Sequence, residues 1–150
     1  MMITIEATIT NPLIGNEIPL PEYATDGAAG IDLRACLTAS LILQPHETQL
    51  IGSGIAINIH TPNIAAVLLP RSGLGVNHGI VLANLVGLID SDYRKEIKIA
   101  VWNRSNKSFT INPGERLCQM VFVPIVQVDF KWVTELEENG RGGFGSTGLK

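Results

Sequence analysis

Apolar and polar residues alternate along much of this chain. Ile3, Ile5, Ala7 and Ile9 are interleaved with Thr4, Glu6 and Thr8, and Ile31, Leu33 and Ala35 with Asp32 and Arg34. A period of two puts successive side chains on opposite faces, so each segment reads as a half-buried strand. The period returns at Ile55, Ile57 and Ile59, at Ile97, Ile99 and Val101, and from Ile125 to Val133. Apolar runs at 64–69, 80–89 and 117–123 read as more deeply buried strands. Turn-forming residues punctuate them at 52–54, 103–107 and 112–114. No dozen residues hold a 3.6-residue apolar period, and the only helix expected is one short turn near residues 72–78. Short strands at a spacing of roughly 8 to 12 residues predict an all-β sandwich, jelly roll or barrel.

Length narrows this to one domain, since 150 residues can bury about 68 to 70% of their unfolded surface. Only 17% of the residues are charged while 45% are hydrophobic, too little polar material to cover an isolated sphere. Oligomerisation would hide the excess. Fourteen acids against eleven bases leave a net charge of −3, which gives polymeric nucleic acid or an anionic membrane no electrostatic hold. The N-terminus has no basic start followed by an apolar stretch, and no apolar run approaches the ~18 residues of a membrane span. A soluble, cytoplasmic protein is expected. Cys36 and Cys118 have neither the number nor the spacing for a disulfide framework or zinc knuckle and read as reduced core residues.

Charge is confined to a few places, and these hold the candidate chemistry. In Pro70-Arg71-Ser72-Gly73-Leu74-Gly75 a guanidinium, a hydroxyl and a glycine amide follow a buried run, which suits an anion grip or, alternatively, an ordinary turn with a solvated arginine. Asp90 and Asp92 break a charge-free apolar stretch two residues apart, on one side if the backbone is extended. An aspartate against buried surface can orient or deprotonate water because desolvation raises its basicity; it can also simply form a turn. Asp32 lies on the polar face of its strand, where a solvated side chain is the plainer reading. The glycine-rich end, 134–150, is set apart as a flexible tail from the domain at 1–133. Its amides, Arg141, Ser146 and Thr147 suit phosphate oxygens, and Phe144 suits stacking on a base, while a disordered terminus is the alternative. His46, His60 and His78 form no metal-ligand spacing, so any metal would be a hard cation held by phosphates and water, as magnesium is.

In this order AGIDLRA, PRSGLG, GLIDSDY, PGERLCQM and GGFGSTG, from residue 29 to 148, resemble the five motifs of the trimeric dUTP pyrophosphatases, the dUTPases, in their bacterial form. The resemblance implies a jelly-roll or distorted β-barrel (β-clip) homotrimer that hydrolyses dUTP to dUMP and pyrophosphate at active sites assembled from several subunits. Such an activity keeps uracil out of DNA and supplies dUMP for dTMP synthesis. By the same resemblance Asp90 would activate the water that attacks the α-phosphorus, and Tyr93 would pack under the sugar. Asn84 would read the uracil edge. Arg71, Ser72, Gly73 and Gln119 would hold phosphates, Asp32 would contact waters of a phosphate-bound Mg2+, Phe144 would close over the base, and Ser146 and Thr147 would complete the γ-phosphate grip. The tail departs from the family pattern: Asn139 stands five residues before Phe144, where relatives carry arginine, and Arg141 is expected to substitute in part. Lys95 replaces a common glycine after the Asp-Tyr pair. Two other readings stay open, a dCTP deaminase-like nucleotide enzyme and a non-catalytic β-rich trimeric binding module.

Overall fold

The computed structural model describes residues 2–145, 147 and 148. In chain order its elements are β1 (Glu6–Ile9), β2 (Ile31–Arg34), β3 (Leu41–Leu43), β4 (Thr48–Gly52), β5 (Ile55–Asn58), β6 (Ile64–Pro70), α1 (Ser72–His78), β7 (Ile80–Leu82), β8 (Gly87–Ile89), β9 (Lys98–Asn103), β10 (Phe109–Ile111) and β11 (Arg116–Pro124). The expected all-β architecture is present, with a jelly-roll-like arrangement of short antiparallel strands. The single short helix lies where it was expected. No helix among the described residues is long and apolar enough to cross a membrane.

The strands form a four-stranded sheet in the order β2-β11-β6-β8, a three-stranded sheet β4-β9-β7, and the pairs β1-β5 and β3-β10. Alternation decides what faces inward. Along β9, Ile99, Val101 and Asn103 are buried while their neighbours are not. Leu33, Leu43, Ile51, Ile97 and Ile111 meet Ile99 and Val101 in one continuous core. Asn103 is tolerated there because every polar atom of its side chain has a partner. Its Nδ2 donates to the carbonyls of Leu43 at 3.1 Å and Lys107 at 2.7 Å, and its Oδ1 accepts from the Ser105 amide and hydroxyl. This shapes the 103–107 turn expected from the sequence.

Two strand expectations are corrected. The apolar run 80–89 is two strands, with a turn at 83–86 in which Leu85 takes φ 63° and donates its amide to the Leu82 carbonyl. The alternating segment 125–133 forms no strand. β11 ends at Pro124, and Val126, Val128, Phe130 and Trp132 stand exposed in a single chain. β1 also departs from a half-buried pattern: it pairs with β5 on one side, yet all four of its residues are exposed. Beside it lies an apolar groove of about 370 Å³ lined by Ile5, Ile9, Leu20, Ile31, Met120 and Phe122 among others.

Gly54 connects β4 to β5 at φ +75°, where a Cβ would fall 2.3 Å from Cγ1 of Ile14 and 2.9 Å from Sγ of Cys36. Left-handed backbone costs a non-glycine residue about 1 to 2 kcal/mol and overpacking about 1 to 3 more. Gly54→Ala should therefore lower the unfolding free energy by about 2 to 5 kcal/mol in urea titration. A change below about 0.5 kcal/mol, the range of an ordinary surface substitution, would show that this turn relaxes freely.

Candidate active site

A polar cluster forms where β2, β11 and the start of α1 meet. Gln119 lies opposite Asp32 on the neighbouring strand, and Cys118 lies opposite Pro70, so β11 brings the end of β6 level with the middle of β2. Arg71, which directly follows β6, sends Nε to within 3.3 Å of Asp32 Oδ1, and Nη1 of Arg116 lies 3.2 Å from Asp32 Oδ2. One carboxylate is thus gripped by two guanidinium groups, which are left partly exposed with unspent donors. Arg71 also donates to the Arg116 carbonyl at 3.4 Å.

Glu115-Arg116 is one of the few charged places in the sequence, but the sequence assigns Arg116 no role. Strict alternation along β11 would put it on the buried face with Cys118 and Met120. The register shifts between Arg116 and Cys118, so that Arg116 pairs with Arg34 while Cys118 pairs with Leu33. A β-bulge of this kind inserts one extra residue and re-aims the side chains before it, carrying Arg116 to the face of Asp32 and Gln119. Two consecutive buried residues, Leu117 and Cys118, are its trace in the packing.

Gln119 donates Nε2 to the Pro70 carbonyl at 3.3 Å. A Cβ at Gly30 would sit 3.0 Å from its Cβ and Oε1, so the glycine of AGIDLRA is what lets this glutamine lie flat. Ser72 and Gly73 open α1, and Arg71 precedes it with extended φ and ψ and no side-chain cap. The first intrahelical bond runs from the Gly75 amide to the Arg71 carbonyl at 3.0 Å, leaving the amides of Ser72, Gly73 and Leu74 without helical partners. A Cβ at Gly73 would meet nothing within 4 Å, so packing within the chain does not require glycine there.

Asp90 lies elsewhere. It follows β8, whose Ile89 pairs with Ala66 and whose Gly87 pairs with Leu68. Continuing that register places Asp90 level with Ala65, six residues along β6 from Arg71. At about 3.3 Å per residue the two are about 20 Å apart. Asp90 shares a shallow pocket with Pro62, Ile64, Ala65, Asp92 and Ile125. Its carbonyl accepts the Tyr93 amide at 3.1 Å, so 90–93 is a turn and the two aspartates are not presented by an extended strand. Asp90 is exposed in a single chain, so the buried surroundings expected for it are not present there. Tyr93 is 39% exposed and donates its hydroxyl to the Glu96 carbonyl at 3.0 Å. Asn84 lies exposed in the 83–86 turn at the other end of β8.

In the tail, Arg141, Phe144 and Thr147 are exposed, and Ser146 lies outside the described residues. The Arg141 amide donates to Oδ1 of Asn139 at 3.0 Å, with Gly140 between them at φ 71°. No group of three or more His, Cys, Asp or Glu side chains comes together among the described residues. The chain therefore offers a hard cation single carboxylates, Asp32 nearest the guanidinium pair, and such an ion would draw most of its ligands from phosphate and water.

Behind the cluster, burial pushes the Cys118 thiol up to about 12, and the nearby Asp32 carboxylate adds to the effect. A thiol raised above its ordinary 9.0 holds its proton more tightly in the folded state. Its contribution is complete below about pH 9 and is lost as pH rises toward 12, at about 1.4 kcal/mol per unit. Urea titrations from pH 7.5 to 10.5 should show the wild type losing about 2 kcal/mol more than Cys118→Ala. Equal losses in the two proteins would contradict the assignment.

The dUTPase family model matches residues 16–148. The deoxyuridine 5'-triphosphate nucleotidohydrolase of Tolumonas auensis is 60% identical, covering 96% of this chain and 97% of that protein. The protein of that name from Citrobacter koseri is 56% identical with 100% of each covered. Among solved structures, a mutant dUTPase of Staphylococcus bacteriophage 80alpha with dUpNHpp shares the fold at a TM-score of 0.83 and 24% identity, covering 99% of this chain and 100% of that one. A mutant dUTPase from phage phi11 of S. aureus, described with a structural Mg(II) ion, shares it at 0.77 and 22%, covering 91% and 100%. The family model spans most of the chain and the bacterial relatives match almost end to end, so this chain belongs to the dUTPase family.

Proposed function

We propose that this protein hydrolyses dUTP to dUMP and pyrophosphate as a homotrimer, each active site drawing residues from more than one copy. The β6–β8 register carries the shared-site reading. A general base works within hydrogen-bond reach of its proton or through one water. Asp90 and the Arg71–Arg116 cluster of one chain lie about 20 Å apart by strand rise, far beyond the length of a triphosphate. Both can act on one nucleotide if a neighbouring copy brings its Asp90 to this chain's cluster. The apolar groove beside β1 and the unpaired alternating segment 125–133 give such an assembly surface to bury.

In this reading Arg71, Ser72, Gly73 and Gln119 hold the phosphates. The Arg71 and Arg116 guanidinium groups exchange part of their bond to Asp32 for phosphate oxygens. Asp90 of the neighbouring copy takes a proton from water as the water oxygen attacks the α-phosphorus. The bond from that phosphorus to the bridging oxygen breaks, and pyrophosphate leaves. Tyr93 lies against the deoxyribose and Asn84 reads the uracil edge. Magnesium, bound through the phosphates with Asp32 reaching its waters, would supply charge neutralisation to the departing pyrophosphate. The tail closes over the bound nucleotide, Phe144 on the base, with Ser146 and Thr147 at the γ-phosphate. Asn139 caps the turn that aims Arg141, an arrangement in which Arg141 serves where relatives place arginine at 139.

A product assay over dUTP, dTTP, dCTP and UTP, with and without magnesium, should find pyrophosphate formed from dUTP in strong preference to the others. Asp90→Asn should abolish turnover, a loss of at least about 100-fold for removal of a general base. Arg141→Ala should raise KM for dUTP. Ammonia released from dCTP would indicate a deaminase, and no turnover of any nucleotide would indicate a binding module.

A further inference from the structure

Resting on the reading that Asp90 and Tyr93 serve dUTP hydrolysis, we propose that Arg94 is a positioning residue that fixes the 90–93 turn through Asn58 of β5. The chain leaving this turn runs back along β5. Its far end is tied down at several points: the Ile97 amide donates to the Ile55 carbonyl at 2.9 Å, and the Ser53 amide donates to the Ile97 carbonyl at 3.0 Å. Glu96 Oε1 accepts the Gly54 amide at 3.1 Å and the Thr10 hydroxyl at 3.2 Å. The near end, which carries Asp90 and Tyr93, is exposed; the Tyr93 hydroxyl ties it to the Glu96 carbonyl, and Arg94 is its side-chain tie to β5 among the described residues. Arg94 donates Nε to Asn58 Oδ1 at 3.0 Å and Nη1 to the Asp92 carbonyl at 3.4 Å. The guanidinium thus clasps the turn's own backbone with one nitrogen and the end of β5 with another.

Asn58 is itself held. It pairs with Glu6 across β1 and β5, and its Nδ2 donates to Glu6 Oε2 at 3.1 Å. The same carboxylate oxygen lies 2.5 Å from His60 Nε2, and His60 takes the left-handed φ of 65° that folds its ring back over the strand end. The charged and titratable groups around this chain of bonds are Glu6, His60 and Arg94, and the His60 hydrogen bond is the main influence holding the Glu6 carboxyl below its ordinary range. Glu6 therefore stays an acceptor at neutral pH and keeps Asn58 oriented with its oxygen toward Arg94. Two acceptors at an angle suit a planar fork and not an ammonium. A turn displaced by an ångström would carry Asp90 away from the phosphorus held on another copy, and misplacement of that size can cost on the order of 100-fold in rate.

The test measures steady-state hydrolysis of dUTP and thermal unfolding for the full chain and for Arg94→Ala, Asn58→Ala and the double variant. Each single variant should lose about ten-fold or more in kcat with KM within about two-fold and Tm within about 3 °C of wild type. The double variant should be no slower than the worse single one, as expected for two links of one chain. Arg94→Lys should fail to rescue, and Arg94→Gln, which keeps a polar donor without the length or the fork, should behave as Arg94→Ala. Wild-type kcat in both single variants, losses that multiply in the double, or losses matched by falling Tm would overturn the proposal while leaving the hydrolase reading intact. A wild-type protein that leaves dUTP uncleaved overturns the hydrolase reading itself.

Discussion

The antiparallel pairing of β8 with β6 sets the terms for everything else in this molecule. Because Gly87 lies opposite Leu68 and Ile89 opposite Ala66, the strand delivers Asp90 to one end of β6 while Arg71 leaves from the other. A slip by one residue would turn every side chain of β8 to the opposite face, so the separation is as fixed as the core. Within one chain Asp90 and the Arg71–Arg116 cluster therefore cannot close upon one another. Under the proposed assembly, the chain's low charge fraction, its exposed apolar residues and the open side of β1 are surface that another copy would cover.

The cluster and the Asp90 turn are each built by a different device. The phosphate-side cluster depends on a bulge in β11 that turns Arg116 toward Asp32, on the glycine at 30 that makes room for Gln119, and on a helix that begins directly behind Arg71. Asp32 holds both guanidinium groups on one carboxylate before any ligand arrives, which in the proposed reading spares ordering cost at the moment of binding. The 90–93 turn is held by the Tyr93 hydroxyl on the Glu96 carbonyl, by Glu96 on the Gly54 amide just before β5, and by Arg94 on Asn58 at the end of β5. Strand ends and their loops do the chemistry, while the strand interiors supply rigidity.

Most of the architecture was legible in the sequence because alternation is a direct image of the pleat. It marked β2, β5 and β9, and the one short helical turn expected near 72–78 is α1. Strands of three residues, β3 and β10, carry too few positions to show a period. The turn within 80–89 was hidden because Leu85 and Val86 occupy it and Asn84 is its only common turn former. The segment 125–133 has a true period of two yet pairs with no strand in a single chain, so alternation alone did not decide its structure. At the site, AGIDLRA and PRSGLG pointed to residues that do come together. Arg116 was legible only as a charge, because strict alternation would bury it with Cys118 and Met120 and the pair Leu117-Cys118 is a faint mark of the bulge that re-aims it. Asp90 and Tyr93 were visible as chemistry, but their distance from Arg71 is a matter of register, which no local motif encodes.

The claim that a single site takes its phosphate grip from one copy and its aspartate from another is tested most directly by complementation between inactive variants. Arg71→Ala and Asp90→Asn proteins would be unfolded together, refolded as a mixture and assayed on dUTP. Random mixing in a trimer should restore about one quarter of wild-type activity, the chance that an intact Arg71 faces an intact Asp90 on its neighbour. A mixture no more active than either variant alone would contradict the account.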